Sequence, residues 1–216
     1  IDLIGSSNRE NPQDNITYQA KINSKQFDIG KFLGIEILGN GALNVDAKAK
    51  VGDLKNLKCD LIANLENFEI NGNRYNSIEV EGEMKEGIIS AQCDIFDQAA
   101  MVNLNCEMDL MNNMATVLRA DLNEINLQKM NFFNFPDTTA VISTDLIARV
   151  NGFNLDNLRA FIDFRNAIIS TQSKNYDIDY LNIRTRNDSI ENILTLNSNI
   201  LSLVAEGKFT IPSLIE

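Results

Sequence analysis

Histidine is absent from all 216 residues. Imidazole is the commonest general base near neutral pH, so its absence removes Ser-His-Asp and Cys-His nucleophile arrangements and any zinc site held by imidazole. The 3 cysteines, Cys59, Cys93 and Cys106, have no CxxC spacing and no histidine to join as ligands. Each stands where an apolar residue would, and a small buried hydrophobe is their expected role. No glycine-rich run leads into Lys-Ser or Lys-Thr, and Gly34, Gly39 and Gly41 neither follow a parallel strand nor open a long helix, so a nucleotide cradle is not expected. No apolar run approaches the roughly 18 residues of a membrane-spanning helix, and no signal peptide opens the chain. The first residue is Ile1, so the sequence reads as a piece of a longer protein.

Positive charge is also short. Against 30 acidic residues stand 19 Lys and Arg, a formal net charge of −11, which opposes long-range attraction of nucleic acids or anionic head groups. Nucleic acid is not an expected partner. The 44% apolar and 23% charged composition is that of a folded chain, and the length allows a sizeable core.

What the chain does carry is alternation. Leu43, Val45, Ala47, Ala49 and Val51 are interleaved with Asn44, Asp46, Lys48 and Lys50, which places every apolar residue on one side of a strand. The same period recurs at Leu57, Cys59, Leu61, Ala63 and Leu65, and again at Val102, Leu104, Cys106, Met108 and Leu110. Further strands are expected near 16–24, 74–83, 87–95, 114–123, 139–150, 157–165, 175–186, 190–198 and 201–211. Turns are expected at Asn40-Gly41, Asn71-Gly72, Asn151-Gly152 and Asn187-Asp188. Only Phe27–Leu33 and Asn126–Phe133 loosen to a helical spacing.

The segments C-terminal to those two stretches superpose with the apolar phase kept: Leu43 to Val51 on Ile142 to Val150, Leu61 on Ile162, Phe68 on Ile169 and Leu104 on Leu203. The expectation is one continuous segment over 1–216 holding two approximate repeats, 18–115 and 116–214. With almost no helix to cover it, the amphipathic sheet must fold over itself or leave one side open. The expected fold is all-β: an elongated, strongly curled, mostly antiparallel sheet forming a β-groove with an apolar concave face. Its candidate lining is Val45, Ala47, Leu61, Val102, Leu104, Met108, Leu146, Ile162 and Leu203. The glutamates Glu79, Glu81 and Glu83 form a row on the other side of their strand and read as a solvated polar face. Arg184 and Arg186 form a smaller basic row that receives no function, and Phe132, Phe133 and Phe135 read as an end-cap of the apolar side. No catalytic constellation and no cofactor site is expected.

The second unit, from Ala120 through Leu127, Lys129 and Phe133 to Ala205-Glu206-Gly207-Lys208-Phe209, resembles the middle repeats of the TamB family, an AsmA-like family of repeating-β-groove proteins in Bacteroidetes-type bacteria. In the first unit the resemblance lies in the turn Phe27-Asp28-Ile29-Gly30-Lys31 and in the strand start Asn71-Gly72 followed by Tyr75 and Ile78. It extends from Tyr18 to Leu214, and its motifs are degenerate, so order and spacing carry it. The second unit departs from it with Lys174-Asn175-Tyr176 in place of Asn-Gly. The resemblance implies a periplasmic portion of a protein anchored in the inner membrane and meeting an outer-membrane barrel partner similar to TamA through regions outside this chain. It further implies carriage of phospholipid acyl chains and support of outer-membrane assembly. The alternative is a structural or adhesive β-repeat whose apolar side is consumed as a dry core.

Overall fold

The computed structural model describes residues 2–7, 16–50, 55–98, 100–129, 140–151, 159–187 and 192–207. The described residues form thirteen strands and one short helix. In chain order these are β1 (Asp2–Ser7), β2 (Ile16–Asp28), α1 (Ile29–Leu33), β3 (Asn40–Lys50), β4 (Lys58–Ile70), β5 (Asn73–Lys85), β6 (Ile88–Phe96) and β7 (Met101–Asp109). Next come β8 (Ala115–Asn126), β9 (Val141–Asn151), β10 (Arg159–Ser170), β11 (Asn175–Asn187), β12 (Asn192–Ser198) and β13 (Ser202–Gly207). All thirteen lie in one sheet in sequential order, each antiparallel to the next. The all-β, antiparallel reading holds. β1 is additional to the expected strands, because a segment spelling Asp-Leu-Ile-Gly-Ser-Ser has too short an alternation to signal itself.

The expected strong curl is not present. Among the described residues each strand packs substantially only on its sequence neighbours, and β1 and β13 stand at opposite ends of the order. The chain exposes 14396 Å², whereas a compact monomer of 24.2 kDa would expose about 10,000 Å². Curling needs bulges or glycine kinks repeated strand after strand. Here register shifts occur only in the β2–β3, β8–β9 and β9–β10 pairings, and Gly82 alone stands mid-strand in β2 to β12.

Turn chemistry sets the hairpins. Asn71 and Gly72, with φ of 50° and 79°, join β4 to β5 as expected, and Glu86-Gly87, at 54° and 78°, join β5 to β6 in the same left-handed way. Asn40-Gly41 is not a turn but the start of β3. Gly41 is required there by close approach, since a Cβ would come within 2.7 Å of Phe68 Cα. Asn151 and Asn187 end β9 and β11, while Gly152 and Asp188 lie outside the described residues. The Phe132, Phe133 and Phe135 cluster also lies outside them.

The first helical expectation is met by α1; of the second, residues 127–129 form a turn and 130–133 are not described. Both follow a bulged strand. β2 shifts register between Ser24 and Phe27 against β3, and β8 shifts between Leu122 and Ile125 against β9. The matching bulges set Leu43 in correspondence with Thr144, two residues on from the Ile142 read from spacing, with the apolar phase unchanged. Beyond each bulge the backbone closes similarly, Ile29 N–H donating to Gly39 O at 3.2 Å and Leu127 N–H to Ala140 O at 3.0 Å.

The core sits at the α1 end of β3 to β8. Leu43, Leu65, Phe68, Tyr75, Ile78, Ala100 and Ile125 are buried together, with Phe27, Ile29, Leu38 and Ile70 packed against them. The segment after α1 closes this end by pairing with the end of β4: Gly39 N–H donates to Glu69 O at 2.8 Å and Asn71 N–H to Ile37 O at 2.7 Å. Phe68 and Tyr75 stand three residues from Leu65 and Ile78, so strict alternation would send them to the opposite side. The left-handed Asn67, φ 48°, resets the phase in β4. Asn166, φ 52°, does the same in β10, where Ala167 is buried.

Candidate functional site

Strand pairing brings residues far apart in sequence into transverse rows. One runs Ala20, Ala47, Leu61, Gly82, Ala91, Cys106 and Leu118, and continues through Ala148, Ile162, Ile183 and Leu196 to Leu203. The adjacent row runs from Ile22 through Val45, Ala63, Val80, Cys93, Leu104, Ala120 and Leu146 to Phe164 and Leu181. Val102 belongs to the row of Leu65, Ile78, Ile95 and Leu122, and Met108 to that of Cys59, Met84 and Ile89. All nine candidate lining residues therefore share one side of the sheet.

Their burial differs along that side. At the α1 end Leu43, Leu65 and Ile78 are buried, while Val45, Ala47, Leu61, Val102, Leu104, Met108, Leu146 and Ile162 are half-buried. Leu203, on the terminal strand, is 47% exposed. Ile200 and Leu201, just before β13, are also exposed.

Cys59, Cys93 and Cys106 are free thiols on the same side, all half-buried. Burial, with Asp94 adding to it, pushes the Cys93 thiol up, and burial alone does so for Cys106. Protonated thiols of this kind are poor nucleophiles and poor ligands. Burial, and secondarily the Asp97 carboxylate, likewise raises Tyr75.

The opposite side is polar and acidic in its middle. Glu79, Glu81 and Glu83 are exposed there, and a shallow trough of about 490 Å³ is lined by Asp60, Glu81, Glu83, Gln92, Glu107 and Arg119 among others. Side-chain amides occupy the neighbouring carboxylate: Gln92 Nε2 donates to Asp94 at 2.8 Å, Asn103 Nδ2 donates to the other oxygen of Asp94, and Asn105 Nδ2 donates to Asn103 at 2.9 Å. Among the described residues no three His, Cys, Asp or Glu side chains converge as metal ligands, and no helix is long and apolar enough to cross a membrane.

Farther along the same polar side the character changes. Phe161 lies directly between Arg149 of β9 and Arg184 of β11 in the pairing register, and the two guanidinium carbons stand 5.9 Å and 5.0 Å from its ring centroid. Sequence reading left Arg184 without a role and missed Arg149 and Phe161. Only the β9–β10–β11 register unites them, and an apolar residue at a polar-phase position was the one available signal.

No family model, curated protein or solved structure matches the chain.

Proposed function

We propose that this chain is a segment of a cell-envelope protein resembling TamB, whose apolar sheet side carries phospholipid acyl chains between the inner and outer membranes and so supports outer-membrane assembly. The observation that supports it best is the pair of apolar rows running across the strands, half-buried over most of their length. Each CH₂ removed from water contributes about 0.8 kcal/mol, so an acyl chain lying along such a surface is held without a specific site. Rows of similar aliphatic residues give neighbouring positions similar energies, which lets a chain slide. In this reading the segment is periplasmic, is not an enzyme and uses no cofactor. The inner-membrane anchor and the regions meeting a barrel partner similar to TamA belong to other parts of the parent protein.

The test is native mass spectrometry after incubation with phospholipid, combined with a photoreactive residue at Leu104. Retained lipid crosslinked at that position is the expected result. A lipid-free, uncrosslinked protein would overturn the proposal. It would favour the second reading, a structural β-repeat, which has its own support in the buried cluster around Phe68 and Tyr75.

A further inference from the structure

We infer that the Arg149–Phe161–Arg184 stack, with Arg159 and Arg186 beside it, is a binding site for a phosphate-bearing anion on the polar side of the sheet. Arg159 precedes Phe161 by two residues and Arg186 follows Arg184 by two, so alternation places both on the same side as the stack. All four arginines are exposed and Phe161 is half-buried. The ion pairs among the described residues join Lys21 to Asp46, Lys31 to Asp28, Arg74 to Glu69 and Arg165 to Asp163, so none involves these four. The nearest carboxylate along β10, Asp163, is already committed: Arg165 Nε donates to one oxygen at 2.7 Å and Asn182 Nδ2 to the other at 2.6 Å.

Four guanidinium groups without carboxylate partners among the described residues repel one another, and like charges facing across strands are destabilising. Their concentration on a chain of net charge −11 is therefore the reverse of what solubility alone would distribute. The Phe161 ring holds Arg149 and Arg184 by cation–π contact, which fixes two planar forks while leaving their N–H donors free for oxygen acceptors. Phosphate oxygens match that fork geometry in a bidentate way. The acidic total does not forbid this: at physiological salt charges are screened over about 8 Å, so the local cluster governs a contact made against it. Long-range repulsion slows approach without removing the site. The site is on the side away from the apolar rows and stands independently of the acyl-chain reading.

Titration of the whole protein with inorganic pyrophosphate, followed by calorimetry at low and physiological salt, tests it together with flotation on phosphatidylcholine vesicles with and without phosphatidylglycerol. Salt-sensitive binding that falls at least tenfold in the Arg149→Gln/Arg184→Gln double variant is expected. Lys48→Gln, on the same side but six strands from Arg149, should leave it unchanged. Binding of pyrophosphate assigns the site to free phosphate groups; binding only to vesicles containing phosphatidylglycerol assigns it to a lipid head group. No binding to either probe, or equal binding by a double variant whose far-ultraviolet circular dichroism is native, overturns the inference.

Discussion

Asp28 and Asn126 perform the same task in the two halves of the sheet. Each ends a bulged strand, and each side chain accepts a hydrogen bond from the backbone N–H three residues on, Lys31 at 2.9 Å and Lys129 at 2.8 Å. That Asx cap satisfies a donor left over where the chain leaves the ladder. The two sites differ in charge. Lys31, chiefly through its hydrogen-bonded side chain, holds the Asp28 carboxyl below its ordinary value, and Asp28 in turn raises Lys31.

The pair should therefore respond to pH where the Asn126 cap does not. A carboxyl whose folded pKa is lowered contributes stability above its ordinary value, 3.8, and loses it as pH falls through the lowered one. The raised Lys31 contributes below its ordinary 10.5 and loses that as pH rises through the raised value. Amide exchange protection of the Lys31 N–H should fall in acid while that of Lys129 holds, and Asp28→Asn should abolish the difference. Parallel loss at both amides would refute the assignment. Asn126→Ala should cost about 1 kcal/mol in urea unfolding, the usual worth of such a cap.

Stability should be concentrated at the α1 end. Phe68 and Ile78 are 2% and 4% exposed, so Phe68→Ala and Ile78→Ala should each cost about 2–5 kcal/mol. Leu203→Asn, at an exposed position, should stay within about 0.5 kcal/mol. Urea midpoints for the three variants provide the comparison, and equal effects would mean that the core is not localised.

Gly41→Ala should destabilise although its backbone is ordinary. The added methyl would stand 2.7 Å from Phe68 Cα and 2.8 Å from its Cδ2, and overpacking of this kind costs about 1–3 kcal/mol. Pairing with Phe68→Leu should recover part of the loss in a double-mutant cycle, because the ring is one of three obstacles, beside Phe68 Cα and Glu66 O.

Cys93 and Cys106 should resist alkylation in the native protein at neutral pH and react readily once unfolded, since burial raises both thiols. Being diagonal across β6 and β7, their Cα atoms are about 7–8 Å apart by ladder geometry, beyond the usual reach of a disulfide. Iodoacetamide labelling read by mass spectrometry checks the first point, and a non-reducing digest after mild oxidation checks the second.

Asp163→Ala should cost about 1–3 kcal/mol, because it withdraws the acceptor of both Asn182 and Arg165 from a position that is 5% exposed. Asp163→Asn keeps one acceptor and should cost less. The ordering of the two in urea unfolding is the test.

The amino-acid sequence by itself determined where strands β2 to β13 form and, within each unbroken stretch of alternation, which residues share a side. Alternation is a local property: neighbouring side chains leave a strand in opposite directions whatever it pairs with, so Leu104 and Glu107 could be assigned without knowing their partners. Tertiary structure decided the rest. The phase resets at Asn67 and Asn166 and the bulges after Ser24 and Leu122 break the period that made strands legible, which is why strand ends at Phe68 and Ala167 went unread. Whether the sheet curls depends on twist and bulging accumulated over thirteen strands, a sum that no single alternation contains. The Arg149–Phe161–Arg184 stack exists only because register fixes three strands against one another, and a slip of one residue would turn Phe161 to the other side.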